Sequence, residues 1–218
     1  MVSYKLSLIT APAIEPVTVS EVKSALRIEN NTVDDTLIGY LITAARSGAE
    51  AYTRRAFITQ TWGMFKDGFS DYSNNYPWWT NHPDIARSSE VCSGSIEIPM
   101  APLQSITHLK TYDDTDASTT MSASNYLVST YAGDYAQPGA ITLRQSSSWP
   151  TVSRVKDGVE IKFVAGYGTT ATSVPAQIRM AIQVEASFLY ENRSSCASVS
   201  MNSGIAKNLL TPYRVMKL

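Results

Sequence analysis

The feature that most constrains the fold is the change of apolar periodicity along the chain. Apolar residues recur at helical spacing up to about residue 55, give way to short strand-like runs, and return to helical spacing from Val174. The first change falls in residues 51–62, AYTRRAFITQTW. Since helices and strands need different apolar periods, the pattern predicts an α+β fold. In it, an antiparallel β region is inserted into a helical bundle made of two N-terminal helices and a C-terminal helix.

The N-terminal segment carries the start signals of two helices. Thr18 and Glu21 form the T-x-x-E capping box, which predicts a helix over 19–28. A turn with further cap residues then predicts a second helix over 33–55. One apolar stripe at helical spacing supports this second helix; it contains Leu37, Ile38, Leu41, Ile42, Ala45, Ala49 and Tyr52.

Two arginines, Arg54 and Arg55, end the second predicted helix. Cations in a last helical turn are favoured by the unpaired carbonyls, by about 0.3 to 1 kcal/mol each. Ordinary helix termination therefore suffices to explain the pair. Ion pairing between helices or between subunits is the alternative.

The middle of the chain, 57–168, has the texture of antiparallel β structure. Runs rich in Val, Ile, Thr and Tyr alternate with Gly, Pro, Asn, Asp and Ser. The expected strands are 57–68, 94–98, 105–112, 125–130, 139–144 and 158–165.

A long aromatic loop, 69–94, separates the first two expected strands. Its residues Tyr76, Trp78 and Trp79 are candidates for contact with a partner protein or stacking on a sugar, since aromatic anchors dominate interfaces. Folding back over the β region is an equally open interpretation. Single-stranded nucleic acid is the weakest option, because only Lys66 and Arg87 supply cations nearby.

The C-terminal part begins with a predicted helix over 174–193, with Pro175 in its first turn. Glu185 projects into the apolar arc of this helix, so it needs a cationic partner or a wet subunit boundary. Residues 194–218 are expected to form a polar linker and a docking tail. The tail residues are Leu209, Leu210, Pro212, Tyr213, Arg214 and Val215.

The residues that could carry chemistry favour structural interpretations. His108 lies inside an expected strand without metal-ligand spacing, and His82 lies in the long loop. Cys92 and Cys196 are typical of unpaired thiols, although a disulfide is not excluded. No catalytic residue, metal ligand or cofactor site is expected.

Two short patterns resemble binding motifs but lack their full set of residues. The acidic cluster Asp113, Asp114 and Asp116 misses the Gly and distal Glu of a calcium loop, so a hairpin turn is expected. Gly166 and Gly168 give only a GxG without a following helix, which indicates the end of a strand.

Composition excludes few partners. Lys and Arg number 18 against 19 Asp and Glu, so no strong overall field attracts DNA or an anionic membrane. The first residues lack a signal-peptide core, and no stretch approaches the roughly 18 apolar residues of a membrane span. We expect synthesis in a cytoplasm and no membrane association.

The succession of segments resembles the head–tail connector, or adaptor, proteins of long-tailed bacteriophages, in the larger version with an inserted β region. The resemblance covers nearly the whole chain, in order. The segments are 9–28, 49–62, 98–113, 159–168, 174–193 and 209–215.

The resemblance implies a structural protein without catalysis at the head–tail junction of a virion. Copies are expected to form a ring, a dodecamer, beneath the portal protein and above a stopper or tail-completion protein. Genomic DNA would pass through the ring without sequence-specific binding. The tail is the implied portal-docking element, and a deletion after Ala206 is expected to abolish attachment while leaving the fold intact.

Further expectations concern the interfaces and the divisions of the chain. Arg54, Arg55, Arg179 and Glu185 are candidates for the subunit interface. The chain is expected to divide into the N-terminal helices of the bundle (1–56), the inserted β region (57–168), the C-terminal bundle helix (174–193) and the linker with the docking tail (194–218). The alternative function from another class is a carbohydrate-binding β module that uses Trp78 and Trp79, and an enzyme is disfavoured by the lack of reactive groups.

Overall fold

The structure is a computed structural model that describes residues 4–29, 31–69, 95–192 and 203–215. It contains a helical bundle and two antiparallel sheets, which confirms the predicted α+β fold. Among the described helices, none has the length and apolar character needed to cross a bilayer.

Helices α1 (Val19–Leu26) and α2 (Asp35–Thr53) form the N-terminal part of the bundle. The predicted capping box is present, with the Thr18 hydroxyl accepting from the Glu21 N–H while the Glu21 carboxylate accepts from the Thr18 N–H. Both helices end earlier than predicted, because Arg27 and Arg54 adopt left-handed backbone conformations that terminate them.

Helices α3 (Ala176–Glu191) and α4 (Gly204–Leu210) complete the bundle. The sequence analysis predicted α3 but expected no helix in the tail. The Ser203 hydroxyl caps α4 by accepting from the Ala206 N–H. The four helices share one apolar core, whose fully buried members include Val22, Ile38, Ile42, Phe57, Ile178, Ile182, Ala206 and Leu210.

The β region forms two antiparallel sheets. The five-stranded sheet has the order β1-β2-β8-β4-β5 and the three-stranded sheet the order β3-β7-β6. All six predicted strands are present, and β1 and β5 are additional. The strands are β1 (Tyr4–Thr10), β2 (Gln60–Lys66), β3 (Ser95–Glu97), β4 (Leu103–Tyr112), β5 (Ser118–Thr120), β6 (Tyr126–Ser129), β7 (Ala140–Leu143) and β8 (Val159–Ala165).

A second apolar core lies between the sheets and contains Met64, Ile98, Leu109, Ile141, Ile161 and Phe163. The two cores meet at the α2–β2 connection, where Ala56 belongs to the β core while Phe57 and Ile58 belong to the helical core. The abrupt change of periodicity after Arg55 thus marks the passage of the chain from one core to the other.

Two expected divisions differ from the structure. The division 1–56 placed the N-terminus with the helices, whereas β1 pairs with β2 in the five-stranded sheet. The division 194–218 treated the C-terminus as separate, whereas α4 packs in the helical core. As domain boundaries, 57–168 and 174–193 remain predictions.

Candidate docking and subunit surfaces

The two arginines at the end of α2 have opposite environments. Arg54 adopts a left-handed conformation with φ 57°, and its side chain is exposed. Within the described parts of the chain, its guanidinium makes no hydrogen bond or ion pair. Arg55 is only 2% exposed. One residue is therefore available to a partner, and the other is part of the fold.

Arg55 joins three separate segments. Its Nε donates to the Tyr213 carbonyl, and its Nη1 donates to the Ala136 carbonyl at 2.6 Å. Burial raises the pKa of Tyr167 to about 12, although the adjacent Arg55 charge opposes the shift. Arg55 thus connects the end of α2 to the tail and to the loop after β6.

The predicted docking tail packs on its own bundle. Leu210, Tyr213 and Val215 are buried. The Val215 N–H donates to the Thr53 carbonyl at 3.0 Å, and the Tyr213 hydroxyl donates to Gln177 Oε1 at 3.0 Å. The tail therefore belongs to the helical core.

The outer side of the tail remains accessible. Pro212 and Arg214 are exposed and Leu209 is half-buried. The Arg214 guanidinium carbon lies 5.4 Å from the centre of the Tyr52 ring, which is a cation–π distance. Contact of these residues with a portal protein remains a prediction.

The other two candidate interface residues have partners within the chain. Arg179 pairs with Glu21, and its Nε donates to the Pro16 carbonyl at 3.0 Å. Glu185 is 2% exposed and accepts from the Ser203 N–H at 3.0 Å. Both residues thus connect α3 to other elements of the bundle, and a role for them between subunits remains a prediction.

A buried ionic network that the sequence analysis missed joins α2 to the sheet. Arg46 pairs with Glu50 and Glu15, each at 2.7 Å, while Glu50 also accepts from the Phe57 N–H and from Gln60. Burial raises the pKa of Glu50, and the Arg46 charge opposes that shift. The i,i+4 spacing of Arg46 and Glu50 is the sequence signal for the pair.

An apolar concavity of about 560 Å³ lies between β1 and α2. We call it the β1 groove and define it by Leu6, Leu8, Trp62, Met100 and Arg54. Leu6 and Leu8 are 37% and 44% exposed. The Trp62 Nε1 is buried and has no hydrogen-bond partner in the described residues. This surface combines unburied apolar side chains with the unpaired Arg54 cation.

A second exposed apolar surface occupies the β6–β7 hairpin. We call it the hairpin patch and define it by Leu127, Val128, Tyr131, Asp134 and Tyr135. All five residues are exposed, Val128 the least of the apolar ones at 37%. Tyr135 stacks on the Tyr213 ring at a centroid distance of 4.9 Å, which orients the hairpin against the tail.

His108 and Asp113, which the sequence analysis considered as possible metal ligands or catalytic groups, make contacts within the five-stranded sheet and its turn. His108 Nε2 lies 3.0 Å from Glu160 Oε1 on neighbouring strands. Asp113 accepts from the Thr115 and Ala117 N–H groups, forming the predicted turn between β4 and β5. Across the described ranges, no group of three potential metal ligands is present.

The expected partner-contact residues Tyr76, Trp78 and Trp79 lie outside the described residues. The same holds for His82, Cys92 and Cys196. Their predicted roles remain predictions.

Comparison with known proteins gives one family match. The model of the phage gp6-like head–tail connector protein family matches residues 16–131, which is more than half of the chain. No curated protein sequence matches.

The fold is similar to that of chains in solved structures of gene transfer agent (GTA) particles. A chain from the neck of an empty GTA particle, computed with C6 symmetry, aligns with a TM-score of 0.72 and 20% identity, covering 98% of this chain and 97% of that chain. A chain from the virion of a native GTA particle gives 0.68 and 19%, with 98% and 96% covered. A chain from the native GTA neck, computed with C12 symmetry, gives 0.66 and 18%, with 98% and 97% covered.

Proposed function

We propose, from the premise that this chain belongs to the phage gp6-like head–tail connector family, that its copies form a ring at the neck of a phage-type particle. The chain is a structural head–tail connector. The family match over residues 16–131 is the observation that carries it.

The proposed ring is a dodecamer that sits under the portal and extends the DNA channel toward a stopper or tail-completion protein. The solved chains of similar fold come from particle necks computed with C6 and C12 symmetry, which supports a cyclic arrangement. In a closed ring each copy presents two different faces to its neighbours. The location we propose is the head–tail junction of the virion, after synthesis in the host cytoplasm.

The tail is the proposed portal-docking element. Pro212, Arg214 and the partly exposed Leu209 provide its accessible side, while its buried side chains fix it on the bundle. The docking surface is thus presented by a folded element. Cationic and acidic residues nearly balance, at 18 and 19, so no strong overall field attracts DNA. We propose that DNA passes through the channel without sequence-specific binding.

The connector role requires no catalysis, and we propose that the protein has no enzymatic activity and uses no cofactor. No observation favours carbohydrate binding, the alternative considered from the sequence, and we do not propose it.

The test combines the purified chain with the portal protein of the same particle. Native mass measurement and electron microscopy are expected to show a dodecameric ring coaxial with the portal. An Arg214→Ala, Pro212→Ala double variant is expected to weaken attachment, while the exposed Val155→Ala control binds normally. A chain that remains monomeric and is absent from portal complexes and particle necks would overturn the proposal.

A further inference from the structure

Exposed apolar side chains concentrate in two places on the described surface. Thirteen large apolar residues are substantially exposed among those that the structure describes, and eight of them fall within residues 6–14 and 127–135. These segments contain the β1 side of the β1 groove and the apolar residues of the hairpin patch. Concentrations of this kind mark interaction surfaces, whereas isolated exposed apolar residues need no explanation.

The β1 groove lies at an edge of the five-stranded sheet. Among the described strands, β1 pairs only with β2, so its other edge carries backbone groups without a strand partner. Free sheet edges with exposed apolar side chains readily accept another chain. Arg54 on the rim adds a cation without a hydrogen-bonded partner in the described chain, so the groove suits an apolar element that carries a carboxylate.

The hairpin patch has the complementary character. Tyr131 and Tyr135 are 50% and 55% exposed, and tyrosine is enriched in the centres of interfaces. Asp134 is exposed, and its carboxylate makes no hydrogen bond or ion pair with any described residue. The Tyr167 hydroxyl donates to the Asp134 carbonyl at 2.8 Å, which fixes the backbone at this point.

A closed ring covers two such unlike patches on every copy. Head-to-tail closure joins two different surfaces of the same chain at every interface, and opposite charges across that interface set its register. We infer that the hairpin patch of one copy docks in the β1 groove of the next, with the Asp134 carboxylate on the Arg54 guanidinium. This inference rests on the proposed ring and names its subunit contact.

A charge exchange between the two residues tests the contact. Arg54→Asp and Asp134→Arg each place like charges in the interface, and each is expected to raise the protein concentration needed for half-assembly by about tenfold or more. The double variant restores opposite charges and should assemble within about threefold of the parent. Asp114→Arg, in the exposed turn after β4, is the matched control and should assemble normally.

Folding is measured separately for each variant. Since neither Arg54 nor Asp134 bonds through its side chain to the described chain, both single variants should give the parent's circular dichroism spectrum. Aspartate also tolerates the left-handed conformation at position 54. Single variants that assemble normally, or a double variant that remains as impaired as the singles, would overturn the inferred contact.

A photo-crosslinking amino acid at Leu8 identifies the neighbour directly. In rings made from mixed ¹⁵N-labelled and unlabelled chains, attachment between copies at 126–137 is the expected result. Attachment within one copy, or to portal protein, contradicts the inference while leaving the proposed ring intact. Absence of rings and of portal-bound chain would instead remove the proposed function, and the inference with it.

Discussion

The guanidinium of Arg55 donates a hydrogen bond to the backbone carbonyl of Tyr213, 158 residues further along the chain. The same side chain donates to the Ala136 carbonyl. One buried cation therefore connects the end of α2, the β6–β7 hairpin and the tail, which together carry the proposed docking and subunit surfaces. The geometry of these surfaces therefore depends on a residue that is itself buried.

We expect Arg55→Met to lower the free energy of unfolding by about 3 kcal/mol, because two buried carbonyls lose a charged donor. Denaturant unfolding measures the change. Arg54→Asn is the control, because its side chain is exposed and asparagine accepts the left-handed backbone; its effect should stay within about 0.5 kcal/mol. Equal losses for the two variants would contradict the assigned role of Arg55.

The tail contributes to the stability of the bundle. Leu210→Ala removes a fully buried side chain from the helical core and should lower the free energy of unfolding by about 2 to 4 kcal/mol. Ile205→Ala on the same helix is the control, because Ile205 is 65% exposed. Similar stabilities for the two variants, compared by denaturant titration, would show that α4 is not part of the core.

The same packing corrects the expectation that deletion after Ala206 leaves the fold intact. The deletion removes Leu210, Tyr213 and Val215 from buried positions. We expect a destabilised bundle, so loss of portal attachment by this deletion would not by itself locate the docking site. Substitutions at the exposed Pro212 and Arg214 are the informative changes.

Local signals explain what the sequence predicted correctly. The Thr18–Glu21 capping box begins α1 because its hydrogen bonds span only three residues. The six predicted strands are likewise bounded by turn residues, such as Asp113, that act within a few positions. These elements were therefore predictable from the sequence.

Two of the elements that the sequence analysis missed, β1 and α4, depend on distant partners. β1 has no buried face of its own and pairs with β2, which lies far away in sequence. Helix α4 has only seven residues, too few to be stable alone, and packs on α3. Contacts between segments so far apart in sequence cannot be predicted from apolar periodicity or from secondary-structure propensity.

The arginine pair shows why the candidate sites were only partly predictable. Helix-dipole reasoning treats Arg54 and Arg55 alike. In the structure, the left-handed conformation of Arg54 redirects the chain, so that Arg55 is buried against the tail while Arg54 faces solvent. The distinction depends on the position of Tyr213, which no local pattern encodes.

The Glu21–Arg179 pair should make stability sensitive to acid. The Thr18 backbone N–H lowers the pKa of Glu21, and Arg179 lowers it further, whereas partial burial opposes them. Ionised Glu21 therefore stabilises the fold above its ordinary pKa of 4.5. This stabilisation is lost as the pH falls through the lowered folded-state pKa.

Glu21→Gln keeps the capping-box hydrogen bond but removes the charge. Because the pair is partly exposed and screened by solvent, we expect a loss of about 0.5 to 1 kcal/mol at neutral pH. The difference from the parent should vanish at acidic pH and shrink in high salt. Denaturant titrations across pH measure this difference in the free energy of unfolding, with the exposed Glu191→Gln as control. A difference that persists in acid would contradict the dependence of stability on ionised Glu21.

Gly166 ends β8 in a conformation that requires glycine. Its φ is +139°, and an added Cβ would lie 2.7 Å from the backbone of Ile58 and Thr59. Those atoms belong to the segment where the two cores meet, so they cannot move aside without disturbing both. We expect Gly166→Ala to lower the free energy of unfolding by about 2 to 4 kcal/mol.

Gly39 in α2 provides the matched comparison, because a Cβ there meets no atom within 4 Å. Gly39→Ala should raise stability by about 0.5 to 1 kcal/mol, since alanine loses less conformational entropy in a helix. Thermal and denaturant unfolding of both variants measure the opposite signs. A Gly166→Ala protein as stable as the parent would mean that the close approach of Gly166 to Ile58 does not fix the junction of the two cores.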